Sequence, residues 1–314
     1  MNICITGALG HIGSKLIRNL KLPPLSCVYL VDNFQAQRYV SLFDLPNKPK
    51  FIFNQLDIVS PEMEEIIKQS DLVVHLAAIT DAETSFYKEE LVEEVNKRGF
   101  ECVANMCVKY QKPIIFPSST SVYGSQENLV DENCNELLPQ SPYAESKLYG
   151  EKLLATLGKE KDLRYIILRF GTIFGYSIGM RFHTAVNKFI FQAVNNKQVT
   201  VWKTAYDQKR PYCDLDDAIS AINHVIKKNL FDNEIYNIVT INLTVKDVLT
   251  VIKKFIPEIK IKFVDSPIMN QLSYEVSNKK SRDKGFVYKG NIEKSIRETI
   301  TKFQNVNYSV KKTL

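Results

Sequence analysis

The sequence predicts an α/β protein built on a doubly wound parallel sheet, with a smaller α/β lobe after it. Three observations carry this. Six short apolar runs recur at residues 3–5, 28–31, 51–56, 72–76, 113–116 and 165–170. They are continuous rather than alternating, as in strands covered on both faces. Helical patterns lie between them, and that βαβα order closes with right-handed crossovers. Beyond about residue 172 the pattern changes. Helical stretches near 184–196, 216–229, 245–256 and 291–303 mix with short strands at V-T-V-W, E-I-Y-N-I and I-K-I-K-F-V. Thr244 and Asp247 have the spacing of a capping box. The expected division is 1–172 and 173–314, with segments of the two parts interleaved.

The first strand runs into I-T-G-A-L-G-H-I-G-S, where Gly7, Gly10 and Gly13 stand at G-x-x-G-x-x-G spacing and open a helix. Such a turn lets a pyrophosphate approach backbone N–H groups. The third glycine lets the helix pack closely on the strand, and the helix N-terminus adds favourable partial charge. Asp32 follows Gly13 by 19 residues, at the end of the second strand. That context makes the start a Rossmann-type dinucleotide site, with Asp32 accepting from the adenosine ribose hydroxyls. A 2′-phosphate would meet a like charge there. At about 4 Å and an effective dielectric near 20 the repulsion is roughly 4 kcal/mol per charge pair, so NAD is favoured over NADP. Arg38, close in sequence, softens that preference, and a helix-capping aspartate is the plainer alternative. His11 either faces the pyrophosphate or is a solvated loop residue, the second being favoured.

Further along, P-E-M-E-E-I-I-K opens with proline and acids, as a first helical turn does. Residues 88–110 carry Leu91, Val92, Val95, Cys102, Val103, Met106 and Cys107 at near-helical spacing. F-P-S-S-T-S-V-Y-G ends a strand in four hydroxyl residues, Ser118 to Ser121. S-P-Y-A-E-S-K places Pro142 in a first helical turn and Tyr143 and Lys147 on one face of that helix. A tyrosine is a poor base at pH 7, and bringing it to neutrality takes roughly 4 kcal/mol of phenolate stabilisation. A lysine ammonium and the positive nicotinamide ring can provide that. Alone, the Tyr–Lys spacing reads as an exposed amphipathic face.

Composition narrows the classes. Of 314 residues, 45% are apolar and 24% charged, ordinary for a globular protein. No apolar run is long enough to span a bilayer, and no signal peptide is readable, so a cytoplasmic location is expected. The six cysteines form no C-x-x-C pair and the four histidines are scattered, so no metal site is expected. The net charge of +6 suits an anionic small molecule or nucleic acid equally. The basic residues form no dense run, which leaves nucleic acid a weak reading.

The glycine triad, Asp32, H-L-A-A (75–78), S-S-T-S-V-Y-G and S-P-Y-A-E-S-K occur in order at sensible distances. Together they resemble the extended short-chain dehydrogenase/reductase family, in its nucleotide-sugar epimerase and dehydratase group. N-K-R-G, L-R-F-G-T-I-F-G, K-R-P-Y-C-D-L-D-D-A and I-Y-N-I extend the likeness over nearly the whole chain. The resemblance implies an NAD-binding domain followed by a nucleotide-sugar-binding lobe. It implies that Tyr143 takes the proton from a sugar hydroxyl while hydride passes to NAD+. Lys147 would hold the nicotinamide ribose, and Ser119, five residues before the glycine of V-Y-G, would bond the reacting hydroxyl. Beside the glycine triad, Tyr143 and Lys147, the cofactor would meet His11, Ile12, Asp32, Asn33, Asp57 and Ile58, then Leu76, Ala77, Ala78, Thr80, Asn96 and Phe170. The substrate would meet Ser119 and Thr120. Arg210 would take its pyrophosphate, with Val201 and Trp202 near the base, although the lone tryptophan equally suits core packing.

Two departures are visible. Thr172 stands where many members have asparagine, and N-Q-L-S-Y-E-V-S-N supplies Tyr274 where many have arginine; Arg181 would compensate. The family's 4,6-dehydratases carry Asp-Glu directly after the catalytic residue, and here those positions are Thr120 and Ser121. Hydroxyls are poor general acids and bases, so the expected chemistry is C4 oxidation or reduction without 4,6-elimination. A 4-epimerase that regenerates NAD+ leads on family frequency. A net C4 dehydrogenase or 4-keto-reductase is the alternative, and a non-catalytic NAD-binding sensor or scaffold the reading of another class. By the same resemblance, the helices at 88–110 and from Pro142 would form a four-helix homodimer interface, although their apolar content equally fits packing on the sheet.

Overall fold

The computed structural model describes residues 1–80, 84–126, 129–265 and 274–303. Along the chain, β1 (Asn2–Thr6) leads through the glycine turn into α1 (His11–Asn19), β2 (Cys27–Asp32) and β3 (Lys50–Gln55). Then come α2 (Met63–Gln69) and β4 (Leu72–His75). α3 (Glu89–Val92) continues through a π-helical stretch, Glu93–Gly99, into α4 (Phe100–Lys109). β5 (Ile114–Ser119), β6 (Leu129–Val130), α5 (Pro142–Lys161) and β7 (Tyr165–Phe170) follow. The rest comprises β8 (Thr172–Phe174), α6 (Ala185–Val194), β9 (Val199–Trp202), β10 (Lys209–Asp214), α7 (Leu215–Lys228) and β11 (Ile235–Ile238). It ends with β12 (Ile241–Thr244), α8 (Val245–Phe255), β13 (Ile261–Val264), β14 (Glu275–Val276), α9 (Lys279–Asp283) and α10 (Ile292–Thr301).

Seven parallel strands form the main sheet in the order β3-β2-β1-β4-β5-β7-β11. The order reverses between β1 and β4, which opens a crevice at the strands' C-terminal ends. Both faces are covered. Leu16, Ile17, Ala218 and Ile222 pack one side with Ile3 and Ile5; Met63, Phe100, Val103 and Leu154 pack the other with Cys4 and Phe116. This double cover is why the strands read as continuous apolar runs. A separate core of Val186, Ile190, Val199, Val248 and Ile296 holds the lobe.

Two features differ from the sequence reading. Residues 88–110 form no uniform α-helix, because seven residues in the middle are wound as a π-helix. The E-I-Y-N-I strand, expected in the second lobe, is β11 and pairs with β7 at the edge of the main sheet. The capping box is present, with Thr244 Oγ1 accepting from the Asp247 N–H at 3.0 Å.

Candidate active site

The C-terminal ends of β1, β2, β4, β5 and β7 open into one cleft of about 480 Å³, closed on its far side by β9, β10 and the loop before α6. At the first turn Gly7 has φ +62°, and a Cβ there would stand 2.6 Å from the Ala77 nitrogen. A Cβ on Gly13 would stand 2.5 Å from the Ala8 oxygen. Those glycines are needed for packing, whereas Gly10 has more room and caps α1 with no side chain over its N–H groups. This is a fitting cradle for a dinucleotide pyrophosphate. Asp32 accepts from the Leu9 N–H at 3.2 Å and the Phe34 N–H at 3.0 Å. It thus braces the glycine turn while facing the cleft beside Ile12 and Asn33. The Asn33 amide donates to Asp57 at 2.9 Å, which ties the loop after β2 to the loop after β3 that carries Asp57 and the buried Ile58.

His11 is neither solvated nor free. Its ring Nε2 meets the Gly175 carbonyl at 3.0 Å, which makes it the donor, and desolvation lowers its pKa to about 4. The Gly179 N–H also donates to Ser14 at 3.0 Å. The loop that carries Arg181 is therefore fastened to the start of α1. Arg181 donates to Thr80 at 2.9 Å, on the wall formed with Leu76, Ala77 and Ala78.

Asn96, expected against the cofactor, lies beneath the cleft wall rather than in it. Its amide accepts from the Ile79 N–H at 2.8 Å, donates to the Ile79 carbonyl at 2.9 Å and donates to Ser146 at 3.0 Å. Ser146 in turn donates to the Tyr143 carbonyl at 2.7 Å. Asn96 thus clamps the 76–80 loop to the start of α5, from within the π-helical turn.

At the centre, Ser141 caps α5 by accepting from the Ala144 N–H, and Pro142 occupies its first turn. Tyr143, Lys147 and Glu151 share one helical face. The Tyr143 side chain faces the same cleft as Ser119. The Lys147 ammonium donates to the Pro117 carbonyl at 2.9 Å, and burial lowers its pKa to about 8. Burial pushes Tyr143 up to about 12, and the Ser119 hydroxyl and the Arg181 charge pull it down only in part. Beneath them, Glu151 accepts from Ser118 at 2.5 Å and from both Nε and Nη2 of Arg169 at 2.9 and 2.6 Å, an ion pair sealed from solvent. Sequence reasoning passed over Glu151, though its helical spacing from Lys147 was visible.

Towards the lobe, Phe170 and Thr172 line the floor, and Val201, Trp202 and Tyr212 the far end. Arg210 lies over the Tyr274 ring at 5.4 Å, and the Tyr274 hydroxyl reaches the Thr120 carbonyl at 3.4 Å. Residues 270–273 of N-Q-L-S-Y-E-V-S-N lie outside the described residues. Among the described residues no cluster of three or more His, Cys, Asp or Glu could hold a metal ion, and no helix is long and apolar enough to cross a membrane.

A sheet in this order with a glycine turn at its switch point defines a dinucleotide-binding α/β protein. The model of the NAD dependent epimerase/dehydratase family matches residues 3–239, and the chain belongs to that family. It is 28% identical over 245 residues to an uncharacterized UDP-glucose epimerase of Bacillus subtilis, covering 76% of each chain. It is 30% identical to a dTDP-D-glucose 4,6-dehydratase of Dictyostelium discoideum, over 76% of this chain and 58% of that protein. The chain spans 46% of a trifunctional 4,6-dehydratase, epimerase and reductase of Arabidopsis thaliana, at 27% identity over 95% of its own length. Among solved structures, UDP-glucuronic acid 4-epimerase from Bacillus cereus, in complex with UDP-glucuronic acid and NAD, superposes with a TM-score of 0.86 at 24% identity over 96% of this chain and 98% of that one. A dTDP-glucose 4,6-dehydratase from Streptomyces venezuelae gives 0.86 at 20% identity, over 96% and 97%. These two likenesses concern the fold.

Proposed function

We propose that this protein is an NAD-dependent enzyme acting at C4 of a nucleoside-diphosphate sugar, as a 4-epimerase, through Tyr143, Lys147 and Ser119. The observation that carries the reading is the convergence of those three side chains on one wall of the switch-point cleft, with the Lys147 ammonium one turn further along the helix from Tyr143. NAD+, held at this cleft, would supply the hydride acceptor and donor for the carbon being oxidised and reduced. The chain's own residues do the rest. Gly7, Gly10, Ile12 and Asp32 hold the cofactor's adenosine diphosphate half. Lys147 faces the ribose of the other half, and Tyr143 takes the proton of the C4 hydroxyl. Arg210, Arg181, Thr172 and Tyr274 hold the substrate phosphates and sugar, and Val201 and Trp202 form the base pocket. In this reading the Rossmann part, 1–172, serves the cofactor and the lobe, 173–314, serves the nucleotide sugar, with β11 and α7 interleaved.

The same reading excludes 4,6-elimination, although dehydratases are among the relatives. Thr120 and Ser121 both line the cleft, and their hydroxyls are poor substitutes for the carboxyl groups that elimination needs. We also propose a homodimer through α3 to α4 and α5, which pack side by side and turn Glu94, Arg98, Asn105, Glu145 and Lys152 outward; sedimentation velocity tests this. For the chemistry, the nucleotide released on denaturation is identified, and NDP-sugars are then supplied while absorbance is followed at the NADH band. Turnover without NADH accumulation supports an epimerase. Steady NADH accumulation contradicts it in favour of a net dehydrogenase.

A further inference from the structure

A serine hydroxyl has one proton to donate and two lone pairs to accept with. At Ser119 both acceptor positions are taken by the same neighbour. The Ser121 N–H donates to Ser119 Oγ at 3.1 Å and the Ser121 hydroxyl donates to it at 2.8 Å. Ser119 caps the 3₁₀ turn Thr120–Tyr123, and that turn brings Ser121 back over it. The remaining capacity of Ser119 is its own proton, and Tyr143 lines the same cleft beside it. We propose that Ser121 is a positioning residue: by filling the lone pairs of Ser119 it fixes that hydroxyl as a donor towards Tyr143 and the reacting oxygen of the substrate. The inference rests on the reading of Tyr143 as the base and adds the group that sets the direction of the hydrogen bond serving it.

A donor at Ser119 favours the phenolate of Tyr143, whereas an acceptor favours the phenol. Removing the Ser121 hydroxyl leaves one lone pair of Ser119 free. The hydroxyl then turns to accept from Tyr143 for part of the time. The other charged and titratable groups near Tyr143 are Arg181 from the loop before α6 and Lys147 on α5, with His75 beyond Lys147 at the end of β4. None of them touches Ser121 in a hydrogen bond, so the substitution leaves their charges in place.

The test compares Ser121→Ala with Ser121→Thr in the NAD-bound protein. Tyrosinate absorbance is titrated for each, with the matching Tyr143→Phe double variant subtracted. One hydrogen bond's redirection is expected to raise the Tyr143 titration by about half a unit to one unit in Ser121→Ala, and to leave it in place in Ser121→Thr. With a turned-over sugar, kcat of Ser121→Ala falls about 3- to 10-fold, KM stays put, and the acid limb of the pH profile moves up by the same shift. An unmoved titration in Ser121→Ala overturns the proposal, and so does an equal shift in both variants. A Tyr143 that shifts as stated in a protein that turns over no nucleotide sugar supports the role of Ser121 and refutes the sugar reading instead.

Discussion

Lys147 sits buried with its ammonium against the Pro117 carbonyl, and its pKa is lowered to about 8 from an ordinary 10.5. A base with a depressed folded pKa costs stability wherever the unfolded chain binds the extra proton. Here that cost is about 3 kcal/mol below pH 8, and it fades as pH rises to 10.5. Lys147→Met removes it and leaves one carbonyl without its donor, a loss of about 1–3 kcal/mol. The urea midpoint at pH 7 is therefore expected to hold near the wild-type value, while kcat falls at least ~100-fold. A large loss of stability would show the ammonium to be a structural prop. His11 acts in the same direction over a lower pH window. Its folded pKa of about 4 lies below the ordinary 6.5, so the stability it contributes is complete above pH 6.5 and lost as pH falls towards 4. His11→Gln keeps a donor for Gly175, and urea midpoints measured from pH 7 to 4 should fall less steeply for it; an identical slope would rule the contribution out. At this scale the Tyr–Lys spacing was legible because it depends on local helix geometry, whereas Ser119 was singled out only by the family resemblance. The partner of His11 lies 164 residues away, and no local pattern could name it.

The elements explain how that geometry is held. α5 begins at a serine cap with proline after it, both legible in the amino-acid sequence as local signals. Leu154 packs α5 on the sheet with Phe116 and Ile167, and beside it β5 and β7 place Ser118 and Arg169 side by side to receive Glu151. Breaking a buried pair leaves a charge without a partner. Glu151→Gln is expected to cost about 3–5 kcal/mol in urea denaturation, and Glu151→Leu combined with Arg169→Met to recover most of it. A double variant as unstable as the single one would contradict this. The π-helical turn at Glu93–Gly99 escaped the sequence reading because its apolar spacing resembles that of an α-helix. Its effect is to aim Asn96 at the backbone of Ile79, which is why that residue supports the cofactor wall from behind.

Across the whole molecule, the six strands of the first half were legible as apolar runs because helices cover both sheet faces. The seventh was misplaced because its run is short and arrives after the chain has left for the lobe and returned. The consequence is testable. Phe170, Cys213, Ile222, Tyr236 and Phe286 share one core with Ile3 and Ile5, so a fragment of residues 1–172 lacks part of that core and its edge strand. Circular dichroism melts should show no cooperative transition for it; a sharp melt would establish the first part as an independent domain. The central claim concerns what the assembled cleft does, and hexoses labelled with deuterium at C4 and carried on UDP, dTDP, GDP or CDP test it most directly. With the NAD-bound protein, NMR is predicted to show one of them converted to its 4-epimer with the deuterium still at C4, and Tyr143→Phe to abolish the conversion. No change at C4 in any sugar, or a 4-keto-6-deoxy product, would contradict the account.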